Sequence, residues 1–375
     1  MSLYVDEKVR DPGAVGGPRG SRLYGWLNDR YNLDGLIAFL RKKEVPITSM
    51  SFTYYFGGIA LMLFAVQVVS GILLLMYYVP SADAAYESVQ YITSKVRFGW
   101  LVRSVHVWSA NLMILSVFIH MFTVFFMRAY RKPRELTWVS GCCLLGLSMG
   151  FGFSGYLLPW NELAFFATKV GTDMVRSVPL VGDYLLQLLR GGEDVTGTTL
   201  GRFFGLHVAI LPAITSSVII AHLLAIQRQG MSQPTEWLDQ PPEQRRSMPF
   251  FPHFFLRDLL LWLVIFNVVA AMSVFWPAAL GLKADPFAPA PAGIKPEWYF
   301  LSTYQVLKWL PAEIGPITGE LVGMLAMGAG ALLALLLPFL DRTPEGGPRK
   351  LWLDIVGISV LLYLIIMTGI GHVSH

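Results

Sequence analysis

Seven apolar stretches divide the chain, at roughly 52–78, 100–127, 137–157, 204–226, 256–277, 318–339 and 351–371. Each is long enough for a helix to cross a hydrocarbon layer about 30 Å thick, which takes about 20 residues. Polar segments separate them, so the pattern predicts an all-α polytopic membrane protein with seven transmembrane helices. Two of the separating segments are long, 158–203 and 278–317. The first holds short amphipathic pieces such as VGDYLLQLLR, and the second is crowded with proline in ADPFAPAPAGIKPEWYF. Long ordered loops usually carry function. Ahead of the first span, DPGAVGGPRG reads as flexible and LNDRYNLDGLIAFLRKKEV as a helix lying on the membrane surface. The Pro- and Gln-rich QGMSQPTEWLDQPPEQRRSMPFFP reads as a connector. The expected organisation is therefore an N-terminal cytoplasmic segment (1–50), a four-helix domain (51–230), a connector (231–255) and a three-helix domain (256–375).

Composition narrows the class further. At 375 residues the chain could hold two or three soluble domains, yet 54% of residues are hydrophobic and 14% charged, far from the soluble average. With the N-terminus placed in the cytoplasm, 19 of the 29 Lys and Arg residues fall in inside segments, among them Lys8, Arg10, Arg19, Lys42, Arg128, Arg131, Arg134, Arg349 and Lys350. That bias satisfies the positive-inside rule and puts the C-terminal HVSH outside. The net charge of +4 is thus mostly topology, and these short clusters are no nucleic-acid reading motif. No leader pattern precedes the first span, so no cleaved signal peptide is expected. Cys142 and Cys143 are adjacent inside a span and read as small packing residues.

Within the second span, HVWSANLMILSVFIH opens and closes on histidine. Polar side chains are costly in lipid and face a partner when they occur there. Fourteen residues of α-helix rise about 21 Å and turn about 1,400°, nearly four full turns. His106 and His120 therefore share one face near opposite membrane surfaces. His207 and His222 repeat the pattern in the fourth span at a spacing of 15, about 60° past four turns. Spans two and four run in the same direction, so His106 lies level with His207 and His120 with His222. Two stacked His–His pairs are what two bis-histidine b haems require. A single such histidine could instead be satisfied by a neighbouring helix; four in matched pairs, out of seven in the chain, point to metal ligation.

Glycines follow the same period. Gly57 and Gly71 in the first span are 14 apart, as are Gly141 and Gly155 in the third. Small residues in membrane helices commonly mark helix packing. At the period of the ligands, they predict room for a broad porphyrin plate. Arg103 and Arg202 lie at the outer edge, where they could pair with haem propionates or simply snorkel to the interface. With both axial positions filled by imidazole, such haems transfer electrons and leave no open site on iron.

At this point the chain resembles the cytochrome b/b6 family of quinol–cytochrome c and quinol–plastocyanin oxidoreductases. The similar motifs run from about residue 45 to 340: FGWLVRSVHVWSAN, RKPRELTWVSG, FSGYLLPW, LLRGGEDV with TLGRFFGLHV, and KPEWYF. The first four spans look like cytochrome b6 and the last three like that family's second subunit, joined in one chain that stops after seven spans. The resemblance implies a four-helix dihaem bundle with a three-helix C-terminal extension. It also implies two non-covalent haem b groups, low-potential on His106/His207 and high-potential on His120/His222. Quinol would be oxidised at an outer site, one electron passing to a Rieske iron–sulfur protein and the other across the membrane to an inner quinone site. Proton release outside and uptake inside then make a Q cycle. A c-type cytochrome subunit, a homodimeric complex and a bacterial inner membrane are implied as well, with either menaquinol or ubiquinol as substrate.

Pro296-Glu297-Trp298-Tyr299 matches the family's outer-site motif. A carboxylate in an apolar pocket has a raised pKa and can accept a quinol proton near neutral pH; without the motif, Glu297 would read as a helix cap. Tyr299 belongs to the same motif, and Tyr156 and Tyr304 match aromatic residues lining that pocket, though either could be an ordinary interfacial tyrosine. Arg257 and Asp258 match an inner-site basic–acidic pair, or else form an exposed ion pair at a span entrance. The chain also departs from its relatives. Where b6-type proteins carry the cysteine of a covalent third haem it has Tyr55, so no such haem is expected. Gln227 replaces a quinone-binding histidine, and Thr123 a frequent arginine. Two other classes remain: a dihaem quinone-reactive anchor of a dehydrogenase or reductase, which would lack the KPEWYF loop, and a proton-relaying transporter, which would be colourless.

Overall fold

The protein is seen in a computed structural model that describes residues 22–41, 43–48, 50–234, 237 and 240–374. The expected flexible stretch DPGAVGGPRG and the basic residues Lys8, Arg10, Arg19 and Lys42 lie outside the described residues. Among the described residues seven helices are long and apolar enough to cross a membrane, and each predicted span has its counterpart.

Two short helices, α1 (Arg22–Tyr31) and α2 (Leu33–Arg41), precede the bundle. A short strand, β1 (Glu44–Pro46), then pairs antiparallel with β2 (Ser247–Pro249), which pins the N-terminal segment to the end of the connector. The first three spans are α3 (Tyr55–Leu75, entered through a 3-10 turn from Ser51), α5 (Gly99–Phe126) and α6 (Glu135–Tyr156). Between the first two lies α4 (Ala85–Ser94). The long 158–203 loop folds into α7 (Glu162–Arg176), α8 (Gly182–Arg190) and α9 (Gly197–Gly205). Local chemistry sets their ends. The Asn161 side chain accepts from the Ala164 amide at 2.8 Å, and Gly191 closes α8 at φ 79°. Arg190 is buried behind them, its guanidinium held by Thr172 Oγ1, the Lys169 and Glu193 carbonyls and Asp173.

The fourth span continues α9 through a π-helical turn, Leu206–Ile210, into α10 (Leu211–Gln229). There the Leu211 amide donates to the Leu206 carbonyl five residues back. A π turn takes up one extra residue without rotating the helix beyond it. The 60° excess expected from the 15-residue spacing is thus absorbed inside the span, and His207 and His222 return to one face.

The fifth span is α11 (Phe255–Phe275), which begins one residue before the hydropathy boundary at 256, and the chain enters it through a kink at Phe251, whose backbone is extended at φ −111° and ψ 130°. The Pro-rich loop carries α12 (Trp298–Trp309) and a two-stranded ribbon, β3 (Glu313–Ile314) with β4 (Ile317–Thr318). The last spans are α13 (Gly319–Leu340) and α14 (Leu351–Val373).

Helices α3 and α5 pack along each other, α6 against α10, and α12 against α14. Ile59, Leu63, Met113 and Val269 form a buried apolar cluster between α3, α5 and α11. A second cluster, including Leu157, Trp160, Phe165, Leu200 and Phe203, lies under the long loops. Outward-facing leucines such as Leu260, Leu263 and Leu332 stay exposed, as a lipid-facing surface requires.

Charges that read in sequence as topology markers are structural as well. Arg128 pairs with Asp354 at 2.7 Å, Arg131 with Asp341 at 2.9 Å and Arg134 with Glu345 at 2.7 Å. Three arginines of the α5–α6 loop thereby clamp the α13–α14 segment. Asp341 also accepts from Tyr130, Lys350 and Thr343. Burial alone would raise its pKa, but these donors with Arg131 outweigh burial and hold the carboxyl well below the usual carboxylate range.

Candidate functional site

The histidines come together as the ladder predicts. The His106 and His207 ring centroids are 6.3 Å apart with planes at 71°. Two metal–imidazole bonds of about 2 Å each, plus the half-widths of two five-membered rings, give about that separation. His120 and His222 share a cavity of about 1550 Å³ that runs along the bundle from Asp258 to Trp298 and Tyr299. Ordinary small-molecule sites measure roughly 300–1,000 Å³, so this one accommodates a broad macrocycle and more. Its walls are mostly apolar, and its lining includes buried polar atoms with no hydrogen-bond partner among the described residues, His120 Nδ1, Thr215 Oγ1 and Gln227 Oε1 among them. Such orphans are costly unless a ligand satisfies them.

Each ladder glycine packs on a histidine. An added Cβ at Gly57 would lie 3.0 Å from the His120 ring, at Gly71 3.4 Å from His106, at Gly141 3.6 Å from His222 and at Gly155 2.5 Å from His207. The period alone predicts room for a porphyrin plate. What meets each glycine is the edge of a histidine ring, because α3 and α6 flank the histidine-bearing helices and set how far each imidazole can retreat.

Sequence reasoning missed the residue ahead of three of these glycines. Ser70, Ser140 and Ser154 place Oγ 2.8, 2.7 and 3.1 Å from Nδ1 of His106, His222 and His207. The signal was present as a repeated Ser-Gly dipeptide, in VVSGI, WVSGC and GFSGY. A hydrogen bond at Nδ1 fixes the tautomer that leaves Nε2 free to bind metal.

The arginines have partners in the chain itself. Arg103 is buried and donates to the Ala278 and Ala279 carbonyls at 2.6 and 2.9 Å. Arg202 donates to the Gln187 carbonyl at 2.7 Å and to that of Leu188. Each thus ties a span to the loop beyond it.

Around the KPEWYF segment, Glu297 sits at the start of α12 but makes no capping hydrogen bond with its side chain. It lines a small void of about 20 Å³ with Tyr156, Gly152, Phe153, Ala167, Pro296 and Phe300. Burial pushes the Glu297 carboxyl above the usual carboxylate range. Tyr299 is buried, and its phenol is pushed up by burial and then by the Glu297 and Tyr156 charges. It lines the large cavity, and its hydroxyl rests against Gly152, where any Cβ would collide with it. Trp298 donates to Asn111 Oδ1 at 2.7 Å, fixing α12 against α5. Tyr304 stands apart from this group: its hydroxyl donates to the Ile294 carbonyl at 3.0 Å, and it lines neither cavity. Its matching position in the motif placed it at the pocket, but one turn along α12 its ring bears on the loop instead.

At the opposite level, Asp258 lines the large cavity and crowds Gly58, whereas Arg257 is exposed and reaches Met248 Sδ at 3.6 Å. Adjacent residues on a helix point about 100° apart, so the two do not form the ion pair considered from sequence. Tyr55, at the position of the absent cysteine, stacks on Phe254 with centroids 4.6 Å apart.

The family model for cytochrome b/b6/petB matches residues 41–230, and that for cytochrome b(C-terminal)/b6/petD matches residues 283–375. The chain belongs to the cytochrome b/b6 family. It is 46% identical, over 96% of its length and 82% of the relative's, to a cytochrome bc complex cytochrome b subunit of Chlorobaculum thiosulfatiphilum. A cytochrome b6 of Heliobacterium modesticaldum is 45% identical over 56% of this chain and 99% of its own, which corresponds to the four-span half. Among solved structures, one described as a hyperthermophilic respiratory complex III superposes with a TM-score of 0.82 at 31% identity, covering 94% of this chain and 91% of that one. Membership in the cytochrome b family implies b-type haem binding, and the paired imidazoles, the three anchored Nδ1 atoms and the cavity fit such a group.

Proposed function

We propose that this cytochrome b is the quinol-oxidising subunit of a Rieske/cytochrome b complex in a bacterial inner membrane, working by a Q cycle with a c-type cytochrome as acceptor. The observation that carries the reading is the pairing of imidazoles at two levels of one bundle, with the His106 and His207 ring centroids 6.3 Å apart. His106 with His207, and His120 with His222, would each hold one haem b. When bound, the two haems supply one-electron transfer between the two ends of the bundle.

The chain's own residues handle protons and binding. Glu297 accepts the quinol proton at one of its carboxylate oxygens: burial raises its affinity, and its side chain has no capping bond to break. Tyr156 borders the same void and Tyr299 the large cavity, so both exclude water and shape the place of the quinol ring. Tyr304 holds the loop at Ile294 and supports the pocket from behind. Arg103 and Arg202 keep N–H groups beyond those given to backbone carbonyls, and these would hold haem propionates. At the inner level, Asp258 and Gln227 line the cavity and receive the quinone, Gln227 through an oxygen with no partner among the described residues and Asp258 as the carboxyl that passes on a proton as the quinone is reduced. Arg257, on the exposed flank, attracts the anionic side of that exchange. The His106/His207 end is the outer one, with the N-terminus cytoplasmic, and the complex is a homodimer.

The purified complex tests this directly. Expected are two non-covalent b haems per chain by pyridine haemochrome, and quinol–cytochrome c reduction that requires the Rieske protein. Two haems without Rieske-dependent turnover would make the chain an electron-accepting anchor, and no haem at all would remove the reading.

A further inference from the structure

The four imidazoles differ in what holds their second nitrogen. Ser70, Ser140 and Ser154 each give their own hydroxyl proton to a backbone carbonyl: Val66 at 2.6 Å, Thr137 at 2.9 Å and Gly150 at 2.8 Å. Their oxygens are then left to accept from Nδ1–H of His106, His222 and His207. Two of these serines serve the His106/His207 pair and one serves His120/His222. The missing position is Phe56. It precedes Gly57 as each serine precedes its glycine, and it stands 14 residues before Ser70, as Ser140 stands 14 before Ser154. His120 Nδ1 is buried, and it has no hydrogen-bond partner among the described residues.

An acceptor at Nδ1–H makes the imidazole a stronger donor to iron, which favours the oxidised metal and lowers its potential. We infer that Ser70, Ser140 and Ser154 are potential-setting positioning residues and that Phe56, by denying His120 an acceptor, raises the midpoint potential of the His120/His222 haem above that of its neighbour. This rests on the proposed assignment of one haem to each histidine pair.

Phe56→Ser in the intact complex, with redox titration of each b haem followed optically and by EPR, tests it. The His120/His222 haem is expected to shift to lower potential, by roughly tenfold in its oxidised-to-reduced ratio, which is about 59 mV for a one-electron couple. The other haem should not move. Phe56→Ala separates the hydroxyl from the lost ring: an equal shift in both variants overturns the inference. Ser70→Ala and Ser154→Ala should raise the potential of the His106/His207 haem, and Ser70→Thr should restore it. No shift with Ser70→Ala and Ser154→Ala overturns the inference even if Phe56→Ser fails to assemble. Fewer than two haems in the unmodified complex would instead defeat the ligand assignment beneath it, so the two failures are distinguishable.

Discussion

Substituting alanine at two glycines of one helix should have opposite consequences. In a helix, Gly→Ala alone is favourable by about 1 kcal/mol, so any loss must come from contact. At Gly155 the new Cβ would stand 2.5 Å from His207 Cε1, 3.0 Å from Nδ1 and 3.2 Å from Nε2. Ordinary contact between such atoms needs about 3.5–4.0 Å, so the ring must retreat by about 1 Å. Metal–ligand distances hold to about 0.2 Å, so a retreat of that size would break the proposed bond from His207 to haem iron. At Gly141 the corresponding distance to His222 Cε1 is 3.6 Å, already ordinary contact. Gly155→Ala should therefore lose the His106/His207 haem and retain the other, giving about half the wild-type haem per chain. Gly141→Ala should keep both. Pyridine haemochrome analysis and reduced-minus-oxidised spectra of the purified complexes read this out. Full haem content with unchanged potentials in Gly155→Ala, or loss of haem in Gly141→Ala, would refute the claim that glycine sets ring position.

Other perturbations address other parts of the molecule. Glu297→Gln should slow quinol oxidation while leaving both haem spectra intact. In the wild type, the carboxyl must be ionised to accept a proton and burial raises its pKa. Turnover should then fall on acidification from a pH above the ordinary carboxylate range, and an unchanged acid limb in Glu297→Gln would place the acceptor elsewhere. Gly152→Ala forces the Tyr299 hydroxyl away, so KM for quinol should rise at unchanged haem content; unaltered quinol kinetics would count against Tyr299 as a wall of the pocket. Asp341→Leu strands the buried Arg131 guanidinium, whose pair is 1% exposed on each side. Breaking a buried pair costs about 3–5 kcal/mol, so the melting temperature in detergent should drop sharply. Because the folded pKa of Asp341 is depressed, its stabilisation is present above the unfolded value and lost as pH falls towards the folded one. The wild type should lose this margin on acidification and Asp341→Leu should not.

Much of this molecule was legible along the chain, because the relevant forces act over one helix. Hydrocarbon thickness sets span length, and 3.6 residues per turn sets which side chains share a face; those two facts place His106 over His120 and predict seven helices. The motif around Glu297 was equally local. Tertiary structure decided what required a second element. The extra residue between His207 and His222 is absorbed by a π turn that periodicity alone reads as misalignment. Gly155 meets an imidazole, and Ser154 anchors one, only because α6 lies beside the fourth span. Tyr304 left the pocket, and Arg257 parted from Asp258, through the angles at which their helices pack. Arg131 appeared in sequence as one more inside charge and is in fact buried against Asp341, 210 residues away. Charge partners and second-nitrogen acceptors are contacts between distant segments, and a one-dimensional pattern records the presence of such groups but not who meets whom.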